Sequence, residues 1–446
     1  MLPLESDNAA AVSTKQRADP ATFNSICENP YASIVVHLVP RLLSQLDRDR
    51  QSRTYGCFDR NYWHYKIVDF PSMVLQQGAL TLALLWNRDF KGNIYFRNSK
   101  IRRWVVASMS FWANNQLPDG SSNEYYPHEH SYPSTVFSLY GVSETCRLLG
   151  ISHPKLIDAM LRSARFLSAR SHNSATNQEV AAVTAMYNVH LLTNEDWLLD
   201  SLGHKLNKVL ESQSTEGWFN EYGGFDVGYS SVTLDFLARY YEERNDSRAL
   251  TAIDRLLGFL RFFLHPNGTA GGQYGSRSTR FFLPNGLELM RNRSYVADAM
   301  ADRLARGGYK YMNSIDDRYL CHFVLHSFAE AIFSYDRNRP YIGKETAMLP
   351  CEQEVQVLFR QAAIYIINTG HYYAVLSLRK GGVLEVFDKK GLAFRDYGYC
   401  ALYNNELGAT NIVRCCHEAD LRDRSVNLRV DFSLIKRHRP SLTSHL

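Results

Sequence analysis

Residues 213 to 229 read QSTEGWFNEYGGFDVGY. Gly217, Gly223, Gly224 and Gly228 are set among Trp218, Phe219, Tyr222, Phe225 and Tyr229, with Glu216, Glu221 and Asp226 between them. This is neither a helical period nor a strand alternation. A glycine-rich connection bearing rings and carboxylates has the make-up of a ligand-facing loop. Tyrosine suits such a loop, because its ring stacks on a sugar while its hydroxyl hydrogen-bonds. A second cationic connection, QYGSRSTRFF, carries Arg277 and Arg280 with few apolar neighbours, which fits capture of an anionic group. The aromatics of DRNYWHYKIVDF put Trp63 and His64 in a similar loop setting. Two histidine pairs raise metal chemistry and then lose it. His128 and His130 have no further fixed ligand, and His322 and His326, spaced for one helical face, lack the glutamate of a zincin motif.

Helices must position these loops. Apolar residues recur at three and four from about residue 31 to 338, predicting helices over 33–48, 70–87, 100–115, 133–149, 155–170, 178–193, 196–212, 230–244, 247–264, 285–305 and 318–335. The loops between them repeat. Gln116, Gly120, Asn123-Glu124-Tyr125, Tyr132 and Ser134 are matched 97 residues later by Gln213, Gly217, Asn220-Glu221-Tyr222, Tyr229 and Ser231. A weaker third copy, HPNGTAGGQYGSRSTRFF, supplies Gly268 and Gln273-Tyr274. Self-similarity at a fixed offset, with a helix on each side, marks stacked helix hairpins. The expected class is mainly α with a C-terminal β part: an (α/α) toroid of hairpins with its loops on one face. From about residue 355, β-branched and aromatic runs broken by Gly381-Gly382 and Lys389-Lys390-Gly391 read as hairpin strands of a short β-sandwich-like domain. The division expected is a disordered or extended N-terminus over 1–28, a toroid over 29–340, a linker over 341–354 and the β domain over 355–446.

Composition limits the function classes. At 45% hydrophobic and 21% charged the chain is globular, and a net charge of +5 suits an acidic ligand while falling short of a nucleic-acid binder. The eight cysteines show no CxxC spacing and read as reduced thiols. No signal peptide and no membrane span are recognised, so a cytoplasmic location is the default expectation, with a periplasmic or secreted one if a leader has been trimmed away.

A helical toroid with Gln-x-x-x-Gly-x-x-x-Glu loops, followed by a β-rich part opening on HYYAVLSLRKGGVLEVF, resembles the heparinase II/III and alginate-lyase group of polysaccharide lyases. NQEVAAVTAMYNVHLL resembles that group's helix opening with Asn, and EGWFNEYGGFDVGYSS its loop carrying a tyrosine. The resemblance implies a lyase that cleaves a uronate-containing polysaccharide or oligosaccharide by β-elimination. Asn177 would neutralise the uronate carboxylate and Tyr229, 52 positions on, would act as base and acid. Arg277 would favour the charged phenolate, and His371 of the β domain would lie over the cleft as a further acid or base. Trp63, His64, Gln178, Trp218, Glu221, Tyr222 and Arg280 are the expected substrate contacts. No cofactor is expected, with a divalent metal in the β domain left open. Two other readings stand beside this one. The first is a toroid glycoside hydrolase, such as an unsaturated-uronide hydrolase, using two carboxylates among Glu124, Glu221 and Asp226. The second is a glycan-binding or exopolysaccharide-associated protein without catalysis.

Overall fold

The computed structural model describes residues 29–335, 348–412, 417–422 and 425–435. The expected extended N-terminus, most of the linker, the last residues of the β domain, and Cys27, Cys415 and Cys416 lie outside them. Fourteen α-helices are described: α1 Ala32–Gln45, α2 Arg60–Trp63, α3 Gly78–Asn87, α4 Ser99–Asn114, α5 Tyr132–Leu149, α6 Pro154–Ser168, α7 Thr176–Thr193, α8 Trp197–Glu211, α9 Val227–Arg244, α10 Ser247–Leu260, α11 Asn285–Met290, α12 Tyr295–Gly307, α13 Asp317–Leu320 and α14 Phe323–Ser334.

Helices α3, α5, α7, α9, α11 and α14 each pack on the next, and α14 packs back on α3, closing a ring. Helices α1, α4, α6, α8, α10 and α12 alternate with them in the chain and form an outer layer. Burial follows this division. Inner α7 is buried at every position from Thr176 to Val189. Outer α10 buries Ala249, Ala252, Ile253, Leu256, Leu257 and Leu260, one apolar stripe at helical spacing. This is the α/α toroid expected from the periodicity.

The repeated loop residues fasten each hairpin to the next outer helix. Gly120 has φ +83° and Gly217 φ +99°. A Cβ on Gly120 would stand 2.4 Å from the carbonyl carbon of Arg162 in α6, and one on Gly217 2.2 Å from the carbonyl oxygen of Arg255 in α10. Their partners Gln116 and Gln213 donate to the carbonyls of Ala159 and Ala252, one turn earlier in those helices, at 3.0 and 2.9 Å. The 97-residue repeat is thus a clamp.

Two expected helices are divided. The 285–305 segment breaks after Met290, because Ser294 turns out to cap α12 by accepting from Ala297 N–H. The 318–335 segment breaks at Cys321 and His322, so His322 lies before α14 and does not share a helical face with His326.

Strands begin at Val355. Strands β1 Val355–Phe359, β2 Ile364–Asn368, β3 Tyr373–Ser377, β4 Val383–Asp388 and β5 Gly391–Asp396 form an antiparallel meander. Strands β6 Cys400–Tyr403, β7 Glu406–Ala409 and β10 Ser433–Leu434 form a small sheet, and β8 His417–Arg422 pairs with β9 Ser425–Val430. One face of the meander docks on the toroid: Phe387 stacks on His265 with ring centroids 3.7 Å apart, and Tyr373 donates to the Phe262 carbonyl. The β1–β2 turn also meets the second toroid loop, where Glu216 accepts the N–H groups of Gln361 and Ala362.

Candidate active site

The loop face is organised around the N-terminus of α7. Most helices here begin on a side-chain cap, among them Ser131 for α5 and Asp226 for α9. Helix α7 begins on Ala175, which has no capping side chain, and Asn177 is its second residue. The cap comes from the second loop. Glu221 Oε1 accepts Asn177 N–H at 2.9 Å, and Glu221 Oε2 accepts Asn177 Nδ2 at 2.6 Å. Thr233 Oγ1 donates to the same carboxyl at 3.2 Å. Glu221 is wholly buried, and burial is the main cause that pushes its pKa up to about 8.

Tyr222 follows in the left-handed region, φ +57°, an unusual conformation for an aromatic residue. Its N–H bonds to the Ser174 carbonyl, and Thr176 N–H to that of Asn220, so a short bridge holds the turn. The strained turn aims the Tyr222 hydroxyl at Gln178 Nε2, which donates to it at 2.9 Å. The Tyr222 ring lies 5.5 Å from that of Tyr229, and the Arg277 guanidinium carbon sits over the Tyr222 ring, 4.6 Å from its centroid. Tyr229 is half-buried and also meets Phe281 at 6.0 Å. Its pKa is raised, first by burial and then by Tyr222, while Arg277 pulls the other way. The free protein therefore carries a neutral phenol here.

Asp226 ties the third loop to this group. Its Oδ2 accepts the N–H groups of Arg277 and Thr279 at 3.1 and 3.3 Å, and its Oδ1 accepts that of Tyr229 at 3.2 Å. Gly228 is required beneath it, since a Cβ there would stand 2.4 Å from Thr279 Oγ1. Lys380, on the β3–β4 turn, donates to the carbonyls of Gln273 and Gly275 and to Ser278 Oγ, bracing the same loop from the β domain.

Asn177, Gln178, Glu221, Tyr222, Tyr229 and Arg277 are thus brought together, with one change of role. Asn177 is buried and spends its amide N–H on Glu221, and Glu221 is sealed from solvent, so neither opens to a sugar. Arg280 is ion-paired with buried Glu385 at 2.9 Å and touches Tyr397, which binds it to the domain junction. Trp218 donates to Glu216 at 3.1 Å and so belongs with the β1–β2 turn. Trp63 donates to the Gln45 carbonyl at 2.7 Å, and His64 is exposed beside it. His371 is exposed on the β2–β3 turn. The turns that touch the toroid loops, β1–β2 and β3–β4, lie at the opposite end of those strands.

Other residues join the face that sequence reasoning passed over. Tyr125 and Tyr319 are exposed, and Tyr319 raises the pKa of both Tyr125 and Tyr229. Arg318 opposes that rise at Tyr125, and helps hold His322 neutral, with its pKa lowered to about 3 chiefly by burial. Arg318 and Tyr319 sit on α13, a single turn too short to leave a periodic signal. The copy of Glu221 in the first loop, Glu124, accepts from Ser131 at 2.7 Å, and burial raises its pKa. Among the described residues no cluster of three or more His, Cys, Asp or Glu is placed to hold a metal ion, and His130 instead bonds Asp119 at 2.9 Å.

No family model matches the chain, and no curated protein matches it either. Solved structures do. A chondroitin AC lyase from Streptomyces coelicolor A3, solved with chondroitin sulphate, matches with a TM-score of 0.53 at 12% identity, over 85% of this chain and 56% of its own. The two chains share the α/α-toroid fold. This chain spans little more than half the length of that enzyme. An unsaturated glucuronyl hydrolase from Streptococcus agalactiae matches with a TM-score of 0.43 at 10% identity, over 71% of this chain and 82% of its own. A GH127 β-L-arabinofuranosidase from Geobacillus stearothermophilus T6 matches with a TM-score of 0.45 at 12% identity, over 90% and 84%. Among the described residues no helix is long and apolar enough to cross a membrane.

Proposed function

We propose that the chain processes an anionic glycan and cleaves it at a uronate by β-elimination, with Tyr229 at the reacting atoms. In that reaction the C5 proton leaves, its electron pair forms the C4–C5 double bond, the bond from C4 to the bridging oxygen breaks, and that oxygen takes up a proton. The C5 proton becomes acidic only when the neighbouring carboxylate is neutralised. Arg277, exposed and held over Tyr222, is the cation that suits this task. The same cation favours the phenolate of Tyr229, whose resting state is the phenol. Once the phenol has released its own proton to water on substrate binding, the Tyr229 phenolate accepts the C5 proton, and the phenol so formed returns it to the leaving oxygen. Asn177 serves as a positioning residue through Glu221, and His371 has no part in this scheme. The exposed rings of Tyr125 and Tyr319 offer stacking surfaces for flanking sugars.

One observation favours elimination over hydrolysis: the carboxylates of the loop face are occupied. A hydrolase needs two carboxyl groups flanking the scissile bond. Glu221 and Asp226 are both without solvent exposure and both accept backbone N–H groups, which leaves Glu124 alone.

The test is incubation with a panel of uronate polymers, followed by ultraviolet absorbance of the unsaturated product. The expected result is absorbance that Tyr229→Phe lowers by about a hundredfold or more. Activity untouched by Tyr229→Phe removes the assignment. New reducing ends without absorbance point to hydrolysis, and affinity without either points to a binding protein.

A further inference from the structure

A pocket lies on the outer wall of the toroid, against α4. It encloses about 250 Å³ and is lined by Arg50, Arg53 and Arg103, with Tyr55 and Phe111 as ring surfaces. Ser52, Ser110, Asn114 and Asn115 supply neutral polar groups, and no Asp or Glu lines it. Some arginines elsewhere on the outer helices carry acid partners, as Arg162 does with Asp158 and Arg248 with Asp246, whereas Arg165 lies over the Trp197 ring and Arg255 donates to the Ser214 carbonyl. Among the described residues, none of the three pocket arginines has a carboxylate within ion-pair distance. Three uncompensated guanidiniums beside aromatic surface form a receptor for a flat, anionic, partly apolar ligand.

The pocket is built rather than incidental. Its two walls are the 48–57 loop and α4, and Gly56 presses them together. Gly56 has φ +94°, and a Cβ there would stand 2.4 Å from the Ala107 carbonyl carbon. Gln76 Nε2 clasps both walls, donating to the carbonyls of Gly56 and Ser108 at 3.0 and 3.1 Å. Buried Asp47 shapes the loop from inside, accepting from Asp49 N–H and Thr54 Oγ1 at 3.0 and 2.7 Å. Asp49 in turn accepts Gln51 N–H at 2.9 Å, so both acids of this loop are engaged by the loop itself. The pocket also adjoins the loop face, since α4 ends at Asn114 and the first repeated loop begins two residues later at Gln116.

We propose that this pocket is an exosite that binds a carboxylate- or sulfate-bearing sugar of a glycan whose other sugars occupy the loop face. The proposal rests on the glycan reading of that face, and the experiment separates the two. Binding of three probes is measured by calorimetry on Tyr229→Phe protein, so that no probe is consumed. The probes are a sulfated chondroitin hexasaccharide, an unsulfated hyaluronan hexasaccharide and a single-stranded oligonucleotide of similar charge. The double variant Arg50→Ala, Arg53→Ala is expected to weaken hexasaccharide binding about tenfold. Arg88→Ala, which removes one positive charge at the other mouth of the barrel, is expected to leave it unchanged. Loss for the sulfated probe alone assigns the pocket to sulfate; loss for both assigns it to the uronate carboxylate. Arg103→Gln is measured with a thermal melt alongside, because that side chain is partly buried in the pocket wall.

Unchanged binding in the double variant, or an equal loss in Arg88→Ala, overturns the exosite. So does an oligonucleotide that binds as tightly with the same arginine dependence. If no polymer yields unsaturated product while the hexasaccharides still bind through Arg50 and Arg53, the lyase reading falls and the exosite stands. Turnover that Tyr229→Phe abolishes, with no dependence of binding on the pocket, has the opposite meaning.

Discussion

Glu221→Gln separates the proton chemistry of the α7 cap from its shape. The folded protein holds the Glu221 proton up to about pH 8, against an ordinary value of 4.5. Burial is the largest cause, and Asp226 adds to it, while the hydrogen bonds from Asn177 and Thr233 work against it. Between those two pH values the folded state binds one proton more than the unfolded state. Stability therefore falls as pH rises through the window. With the folded value at about 8, the loss between pH 5 and pH 8 is about 3.5 kcal/mol, from about 1.4 kcal/mol per tenfold change in proton activity. Glutamine has the same shape and does not titrate. Its oxygen can keep the N–H of Asn177 and the Thr233 hydroxyl, while its NH₂ requires the Asn177 amide to turn and present Oδ1. That rearrangement shifts stability equally at every pH. Urea unfolding of both proteins at pH 5, 6, 7 and 8 isolates the term, because all other titrations cancel in the difference. The wild type should lose about 3.5 kcal/mol relative to the variant over that range. A difference that stays constant within about 0.5 kcal/mol would show that Glu221 is ionised throughout, and the account of the cap would fail.

Gly217→Ala places a Cβ against the Arg255 carbonyl at φ +99°, and should cost about 3 kcal/mol in urea unfolding. Gly203→Ala is the contrast, because that position in α8 has open space around it and should gain about 0.5 to 1 kcal/mol; a similar effect at both sites would refute the clamp. Among the five described thiols only Cys400 is exposed, while Cys57, Cys146, Cys321 and Cys351 are buried, and burial pushes Cys351 up to about 11. Peptide mapping after brief alkylation at neutral pH should find Cys400 labelled and those four untouched until the protein unfolds; labelling of Cys57 at the rate of Cys400 would contradict the packing.

The barrel was legible because helical periodicity and the Gln/Gly repeat are both local signals. Gln116 and Gly120 do in one hairpin what Gln213 and Gly217 do in the next, so the repeat announced a shared contact before the contact was known. The site was legible only as a neighbourhood. Sequence placed Asn177 near Tyr229, but which way an amide points depends on a carboxylate 44 residues away that replaces a missing cap. Arg280 reads as a free cation until Glu385, 105 residues later, claims it. His371 opens a strand in the sequence, and only the pairing of β1 through β4 shows which end of the sheet faces the loops.

The carboxylates of this face act as braces, and that constrains the chemistry available to it. Glu221 joins the second loop to α7, Glu385 joins Arg280 and Tyr397 across the domain junction, and Asp226 joins α9 to the third loop. Asp226 matters most, because one buried side chain accepts the backbone N–H of Tyr229 on one oxygen and that of Arg277 on the other. The phenol and the guanidinium that an elimination would need are therefore set at a fixed backbone separation by a single rigid group. Positioning of that kind supplies much of what a reaction at a weakly acidic carbon requires. It also explains why the glycine-rich stretch carries acids at all. They are there to hold its aromatic residues in place, and the glycines let the loops approach closely enough for that grip, as Gly228 does against Thr279.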